Sequence, residues 1–272
     1  MRTPLISICG LLLLSSAVAL AGPWTLPRGV IVKDDGPRTY RWTAEYSTSN
    51  TTGQVIRRQL ISGNYTRGLP GGDSVWTGVS QIDSDGPGEP SGPAQKREFM
   101  EGFRYHKDPA NVSSSLAPDF FKGFPPTAVF ERNLVWDTQM IELYGQSQFE
   151  HLKLNQPYHL ISDQTENMPG VGVFQNRDVQ LTWMGRSKRN GRDCALIGYS
   201  AYFNPLEIAN GGMKLKGRSH YWGQIWVALA TRQIEYATLY EDVLGEMNLT
   251  GQDTPLVVSV FRSGIFEPIV TK

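Results

Sequence analysis

Cysteine is nearly absent from this 272-residue sequence, which holds only Cys9 and Cys194. Cys9 lies in an N-terminal segment that we expect to be removed, so the mature chain keeps one cysteine and forms no intrachain disulfide. A secreted eukaryotic chain of this size more often carries several disulfides. The cysteine content therefore favours a bacterial periplasm or cell exterior.

An excess of charge of either sign is also absent, since 26 basic residues stand against 26 acidic ones. Nucleic-acid binding draws most of its affinity from a basic face. Binding to a strongly anionic membrane surface needs a similar excess. The balanced charge therefore argues against both of these partners.

Long hydrophobic runs are missing except at the N-terminus, where Arg2 precedes an apolar stretch. Ala19 and Ala21 form the small-x-small pattern that signal peptidase reads, which predicts a cut just before Gly22. The stretch is too short and too broken to span a bilayer, which needs about 20 apolar residues. We therefore expect residues 1–21 to be a signal peptide, and the glycine after the cut predicts no lipid anchor.

The mature chain, residues 22–272, is predicted to be a single β-rich domain without a transmembrane span. Two segments hold too many proline, glycine and serine residues for regular structure. We expect long loops at about 83–97 and 106–127.

Patterns typical of catalytic and metal sites are absent as well. Gly198-Tyr199-Ser200-Ala201 lacks the last glycine of a G-x-S-x-G nucleophile turn. The four histidines show no metal-ligand spacing. The sequence Asp83-Ser84-Asp85-Gly86 resembles the start of a calcium loop, but no glutamate stands at its twelfth position. We therefore predict no catalytic residue, no metal ligand and no cofactor.

Two pairs of residues, one of cysteine and histidine and one of two glutamates, have side chains suited to catalysis. Nothing in the sequence brings Cys194 close to His220, and a lone buried cysteine behaves as a small apolar residue. Glu235 and Glu241 are expected on one strand about 20 Å apart at ~3.3 Å per residue. A glycosidase pair needs about 5–9 Å, so a solvated outer face is the favoured interpretation of these acids.

Runs of apolar and β-branched residues between turn residues predict a mainly β chain. The predicted strands cover residues 38–46, 54–61, 74–82, 179–189, 193–203, 214–230, 234–244 and 256–262. Asn190-Gly191 between two of them is the strongest short-range hairpin marker, because a type I′ turn needs positive φ at both central residues.

One segment, residues 131–144, follows a helical period instead. Its apolar side chains fall within about half of the helical wheel and predict packing on a sheet face. They are Leu134, Trp136, Met140, Ile141, Leu143 and Tyr144. Gly145 stands where helices commonly end.

The C-terminal strands are apolar on both faces, and strands of this kind are normally covered on both. One cover is predicted to be the helix at 131–144. The other is a second sheet, the sheet's own curl or a ligand. The candidates for lining a ligand cavity or the core are Trp183, Tyr221, Trp222, Ile225 and Trp226.

The segment Gly217–Tyr240 contains a strand that ends in Trp226-Val227, a short turn and a strand that leads away. In this layout residues 190–245 resemble the late hairpin of the bacterial lipoprotein carriers, the periplasmic chaperone and its outer-membrane receptor. The resemblance implies a curved antiparallel half-barrel whose concave side is plugged by helices and holds acyl chains. Ala228 and Arg232-Gln233 depart from the family pattern, so no functional residue is carried over.

Together these patterns predict a β-rich α+β fold, a curved antiparallel sheet or half-barrel with a plug helix, with a β-sandwich as the alternative. The leading hypothesis is an exported protein that binds or carries an apolar or lipidic ligand in the cell envelope. The alternatives are a secreted polysaccharide-acting hydrolase and an envelope interaction module without a small ligand. A carboxylate pair in an aromatic groove favours the hydrolase, and a solid core favours the module.

Overall fold

The computed structural model describes residues 25–27, 32–33, 36–106, 117, 119–210, 212–251 and 253–269. The predicted signal peptide lies outside the described residues. So do residues 107–116 and 118 of the second predicted loop.

Within the described residues, thirteen strands form one antiparallel sheet. They are β1 Arg38–Ser49, β2 Val55–Arg67, β3 Asp73–Asp85, β4 Gln95–Lys96, β5 Phe103–His106, β6 Pro157–Ile161, β7 Gln164–Met168, β8 Gly172–Asn176, β9 Val179–Arg189, β10 Arg192–Asn210, β11 Met213–Ala228, β12 Ile234–Leu249 and β13 Leu256–Pro268. Neighbours follow the order β4-β3-β2-β1-β13-β12-β11-β10-β8-β7, while β9 pairs with β10 and β6, and β5 pairs with β3. The predicted curved antiparallel sheet is confirmed, and one sheet replaces the two of the sandwich alternative.

The turn between β9 and β10 forms at Asn190 and Gly191, as predicted. Their φ angles are 50° and 74°, the positive values that a type I′ turn requires. Arg189 pairs with Arg192 across the turn. This hairpin therefore fixes the register of two of the central strands from local sequence alone.

The segment 83–97 contains some regular structure. Strand β3 continues to Asp85, and β4 returns along it with Gln95 opposite Gln81. The connection between these two strands covers residues 86–94.

Helix α1, Val129–Glu142, packs on one face of the sheet, which is called the inner face below. Its residues Leu134 and Ile141 are fully buried. A π-helical turn, Leu143–Ser147, carries the chain on through Gly145, so the predicted stop at this glycine is wrong. A Cβ on Gly145 would lie 3.0 Å from Cγ2 of Ile225, and its absence lets the end of the helix approach β11.

The polar half of α1 is buried too. Five polar residues of the helix are each 7% exposed or less: Glu131, Arg132, Asp137, Gln139 and Glu142. The helical wheel gives no sign of this burial, because it shows only that these residues are polar. Their polar and charged groups must therefore find partners inside the protein.

The main core lies between α1 and the inner face. Strand β1 sends Tyr40, Trp42, Ala44 and Tyr46 inward, as its alternation predicts, and all four are buried. The ring of Tyr40 stacks on that of Phe266 from β13, with 4.4 Å between centroids. Such cross-strand aromatic pairs stabilise a sheet beyond their area of burial.

The opposite, outer face carries the second set of apolar side chains. Trp222 and Trp226 of β11 are partly exposed there, and Met184 of β9 and Tyr202 of β10 are 44% and 50% exposed. The inner face is thus covered by α1, whereas the outer face presents aromatic and sulfur-containing side chains to solvent.

Candidate functional site

Buried ion pairs fasten α1 to the sheet. Arg262 of β13 contacts Asp137 of the helix at 2.7 Å and Glu241 of β12 at 2.8 Å. At the C-terminal end of the helix, Arg67 of β2 contacts Glu142 at 2.9 Å. Separating the partners of a buried pair leaves uncompensated charges and is costly. These contacts therefore favour one position of α1 on the sheet.

Burial dominates the electrostatics of Asp137. Removal from water raises the pKa of its carboxyl to about 7, although Arg262 acts in the opposite direction. Glu241 contributes to the rise, because both carboxylates face one guanidinium. Burial opposes the charge on Arg262, but the combined effect of the two acids raises the pKa of Arg262 well above its ordinary value.

Three tyrosines fill the inner face near this triad. The hydroxyl oxygens of Tyr144 and Tyr221 are 3.2 Å apart, and Tyr221 donates to Oδ1 of Asn176 at 2.8 Å. Tyr199 donates to the carbonyl of Thr238 at 2.8 Å. Burial raises the pKa of all three phenols. Side chains thus occupy the space between α1 and this part of the sheet, and each phenol has a hydrogen-bond partner there.

A groove crosses β9 to β12 on the outer face. It has a volume of about 560 Å³ and is open to solvent. Strand register brings its residues together, since Ser200, Trp222 and Tyr240 lie opposite one another on three adjacent strands. The lining residues are Gln180, Thr182, Met184, Gly198, Tyr199, Ser200, Tyr202, Trp222, Gly223, Gln224, Thr238 and Tyr240.

Aromatic rings supply the apolar part of this outer groove. The ring centroids of Trp222 and Tyr240 are 5.9 Å apart, with 27° between the ring planes. Tyr240 lies 6.4 Å from Phe261 of β13 at 22°. These partly exposed rings make an apolar surface that continues across three strands.

Uncharged hydrogen-bonding groups supply the rest of the lining, in which no Asp, Glu, Lys or Arg occurs. Two of them are held in place by neighbours. Gln180 donates to Oδ2 of Asp178 at 2.5 Å, and Oγ1 of Thr238 accepts from the backbone of Gln224 at 3.2 Å. The outer groove therefore combines oriented polar groups with exposed rings.

A β-bulge in β10 turns two more aromatic residues outward beside the groove. The register with β11 shifts between Ala201 and Asn204, and Tyr202 and Phe203 are 50% and 64% exposed. Phe203 has a φ of 57°, a left-handed conformation that is costly for a bulky residue. His220 packs edge-on against both rings, at 5.6 and 4.6 Å. Bulges re-aim side chains in this way.

The groups adjoining His220 carry paired charges. Arg218 contacts Asp242 at 3.6 Å. Burial, followed by the charge of Arg218, lowers the pKa of His220. The imidazole is therefore neutral at pH 7.

No protein-family model matches the chain, and no curated protein matches it. No family is identified. Among solved structures, the chain is similar to a DUF1329 family protein from Desulfovibrio piger ATCC 29098 at 9% sequence identity, with a TM-score of 0.15, over 88% of this chain and 89% of that one. The resemblance to the lipoprotein carriers is not confirmed.

The five residues predicted to line a cavity or the core are divided between the two faces. Trp183, Tyr221 and Ile225 are buried in the core on the inner face. Trp222 lines the outer groove. Trp226 lies on the same outer face of β11 but outside the groove lining. Alternation along a strand produces this division.

Of the groove lining, sequence reasoning identified only Trp222 and missed the other large side chains, among them Met184, Tyr202 and Tyr240. Tyr240 becomes visible only once the register of β11 and β12 is known. Tyr202 depends on the bulge in β10, which has no local sequence signal.

Cys194 and His220 are far apart. Cys194 pairs with Ala228, and His220 lies roughly 26 Å further along β11 at ~3.3 Å per residue. Burial raises the pKa of the Cys194 thiol to about 11, so the thiol is protonated at neutral pH.

The expected solvated outer face for Glu235 and Glu241 is wrong. Glu235 is 2% exposed and lies 3.0 Å from both Arg38 and Arg192. Glu241 contacts Arg262 on the inner face. Spacing along a strand does not reveal these arginines, because they come from other strands.

Across the described ranges, no group of three or more His, Cys, Asp or Glu side chains is arranged to hold a metal ion. No helix in that part of the chain is long and apolar enough to cross a membrane.

Proposed function

We propose that this protein is exported to the cell envelope and binds a ligand with an apolar surface in the outer groove. The observation that carries the proposal is the row of partly exposed rings beside uncharged polar groups. Exposed apolar patches with polar surroundings are typical of binding sites. The volume of about 560 Å³ lies within the ~300–1,000 Å³ range of small-molecule sites.

The outer groove is a better site than the inner face, where the lipoprotein-carrier resemblance implies an acyl-chain cavity. On the inner face, a ligand has to displace α1 and separate Arg262 from Asp137, which are 2.7 Å apart. Breaking a buried ion pair of this kind costs about 3–5 kcal/mol. The outer groove is open to solvent and needs no such rearrangement.

Binding is proposed rather than hydrolysis. A glycosidase needs two carboxyl groups about 5–9 Å apart, and the lining of the outer groove contains no Asp or Glu. Asp242, two residues beyond Tyr240 on β12, is paired with Arg218.

Two tryptophans on one strand provide a matched test of the site. Trp222 and Trp226 both lie on the outer face of β11 and are both partly exposed, but only Trp222 lines the groove. The full chain and the variants Trp222→Ala and Trp226→Ala are titrated with lauric acid, a lysophospholipid, octyl glucoside and neutral oligosaccharides. Tryptophan fluorescence and native mass spectrometry report binding.

At least one probe is expected to bind the wild type and Trp226→Ala with equal affinity. The same probe is expected to bind Trp222→Ala about tenfold more weakly, because an aromatic ring at the centre of a binding site commonly contributes this much. Equal loss in both variants, or no binding of any probe, contradicts the proposal.

A second candidate function is self-association of the chain through the outer face. Val257, Phe261 and Ile265 of β13 are 41–43% exposed and extend the apolar surface beyond the groove. Light scattering after size-exclusion chromatography compares the wild type with Ile265→Ser. A larger assembly that the substitution dissociates supports self-association, and monomers in both samples speak against it.

Export is tested separately from binding. The full chain is expressed in a Gram-negative host, and the N-terminus of the periplasmic fraction is sequenced. Gly22 is expected as the first residue. Retention in the cytoplasm with residues 1–21 intact contradicts export.

A further inference from the structure

We infer that the ligand of the outer groove is an uncharged saccharide chain. The inference rests on the proposed function and narrows the class of its ligand. It is drawn from the shape of the groove, from its mixed aromatic and polar lining, and from the absence of charge in that lining.

The shape of the groove suits a ligand that has two different faces. Because the groove is open to solvent, it covers only one side of whatever binds. A hydrocarbon chain then keeps much of its apolar surface in water and loses the corresponding burial free energy. A pyranose ring has a face of C–H groups to bury and hydroxyl groups that remain solvated.

The aromatic rings offer a surface for the C–H faces. The face of an aromatic ring carries negative electrostatic potential, which attracts the polarised C–H groups of a sugar. Trp222 and Tyr240 present such rings on adjacent strands, 5.9 Å apart. Strands repeat every ~4.8 Å across a sheet, a step comparable to the length of one sugar ring. A saccharide chain that crosses β11 and β12 therefore meets the rings of Trp222 and Tyr240 with successive sugar residues.

The polar lining matches hydroxyl groups. The amide of Gln180 gives one N–H to Asp178 and keeps a second N–H and its oxygen, so it can both donate and accept. Thr182, Ser200 and Gln224 add groups with the same double capacity. A hydroxyl-rich ligand satisfies them, whereas an acyl chain leaves them without partners at a cost in desolvation.

Charge decides between neutral and ionised ligands. No lining residue is charged, and the carboxylates at adjoining positions already have partners. Asp178 contacts His159 at 2.7 Å, and Asp242 contacts Arg218 at 3.6 Å. A carboxylate or phosphate thus loses hydration without gaining an opposite charge. The lining favours a neutral glycan over a fatty acid, a phospholipid or a uronic-acid polymer.

The test titrates the full chain with maltohexaose, cellohexaose and chitohexaose by calorimetry. Oligogalacturonate serves as the charged saccharide, and lauric acid and phosphatidylcholine vesicles serve as lipids. At least one neutral hexasaccharide is expected to bind, with an affinity that added salt leaves unchanged. Trp222→Ala is expected to weaken this binding about tenfold, and Trp226→Ala is expected to leave it intact.

Gln224→Ala keeps the rings and removes one polar group, so it protects the test against a Trp222→Ala variant that fails to fold. It is expected to weaken saccharide binding severalfold. Trp222-dependent binding of lauric acid or vesicles, without saccharide binding, overturns the inference and leaves the proposed function standing. Binding of oligogalacturonate in preference to neutral hexasaccharides also overturns it. If no probe depends on Trp222, both proposals fail.

Discussion

Arg262 and Asp137 join the last strand of the sheet to helix α1 through a 2.7 Å contact between side chains that are each 8% exposed. The same guanidinium contacts Glu241 at 2.8 Å and lies 5.7 Å from the ring centre of Tyr46. One guanidinium thus contacts two carboxyl groups from different elements. The position of α1 on the inner face therefore depends on Arg262.

Replacing Arg262 by methionine keeps much of its volume and removes its charge. We expect the free energy of unfolding to fall by about 3–5 kcal/mol, because Asp137 and Glu241 are left buried without a cation. Urea denaturation measures the change. Adding Asp137→Asn to this variant is expected to recover part of the loss.

The control for that experiment is Lys216→Met. Lys216 contacts Glu207 at 2.8 Å, but the two side chains are 80% and 63% exposed. Exposed pairs contribute about 0–1 kcal/mol. Similar losses in Arg262→Met and Lys216→Met would show that the buried triad does not hold the helix.

The raised pKa of Asp137 predicts a specific pH dependence of stability. Burial raises this pKa to about 7 in the folded protein, whereas an unfolded aspartate has a pKa of about 3.9. Between these values the folded chain binds one more proton than the unfolded chain. The contribution of Asp137 to stability is therefore largest at low pH and is lost as pH rises through 7.

Asp137→Asn removes this titration and leaves the other ionisable groups in place. As pH rises from about 4 to 7, we expect the wild type to lose unfolding free energy relative to the variant. Above pH 7 the difference between the two proteins is expected to stay constant. Thermal unfolding across this pH range supplies the measurement. A difference that does not vary with pH would show that Asp137 stays ionised when folded.

Much of the fold follows from local sequence signals. Asn190-Gly191 specifies a turn with positive φ at both positions, and the alternation in β1 specifies its buried face. The period of residues 131–144 identifies α1. The burial of Glu131 and Glu142 does not follow, because their partners, Arg97 and Arg67, come from distant parts of the chain.

The outer groove is less predictable than the fold, because bulges set its register. Beside the turn, Val227 pairs with Ile234, and an unbroken register from that pair would place Leu239 opposite Trp222. In the structure, an irregularity between Trp226 and Val227 makes Tyr240 the partner instead. One extra residue in β12 thereby places an aromatic ring beside the tryptophan, and single-sequence patterns carry no signal for it.

Gly145 controls how closely the end of the helix approaches the sheet. An added Cβ would lie 3.0 Å from Ile225 and 3.3 Å from Val227. We expect Gly145→Val to lower the unfolding free energy by about 1–3 kcal/mol through overpacking. Gly88→Val is the control, since a Cβ at Gly88 meets nothing within 4 Å. Equal stabilities of the two variants in urea denaturation would contradict the close approach.

Phe203 is expected to cost stability through its backbone. Its φ of 57° is a conformation that costs most residues about 1–2 kcal/mol and that asparagine tolerates. Phe203→Asn relieves this cost but also removes the contact with His220, at 4.6 Å. Tyr202→Asn is the matched control, because Tyr202 also packs on His220, at 5.6 Å, and is not among the residues with positive φ.

We therefore expect Phe203→Asn to be more stable than Tyr202→Asn by about 1 kcal/mol in urea denaturation. Strained residues are concentrated at functional sites, and Phe203 lies beside the outer groove. Phe203→Asn is therefore expected to bind the ligand of the outer groove more weakly than wild type. A variant that is both more stable and equally good at binding would show that the bulge serves the fold alone. A variant no more stable than Tyr202→Asn would show that the left-handed conformation at Phe203 carries no strain.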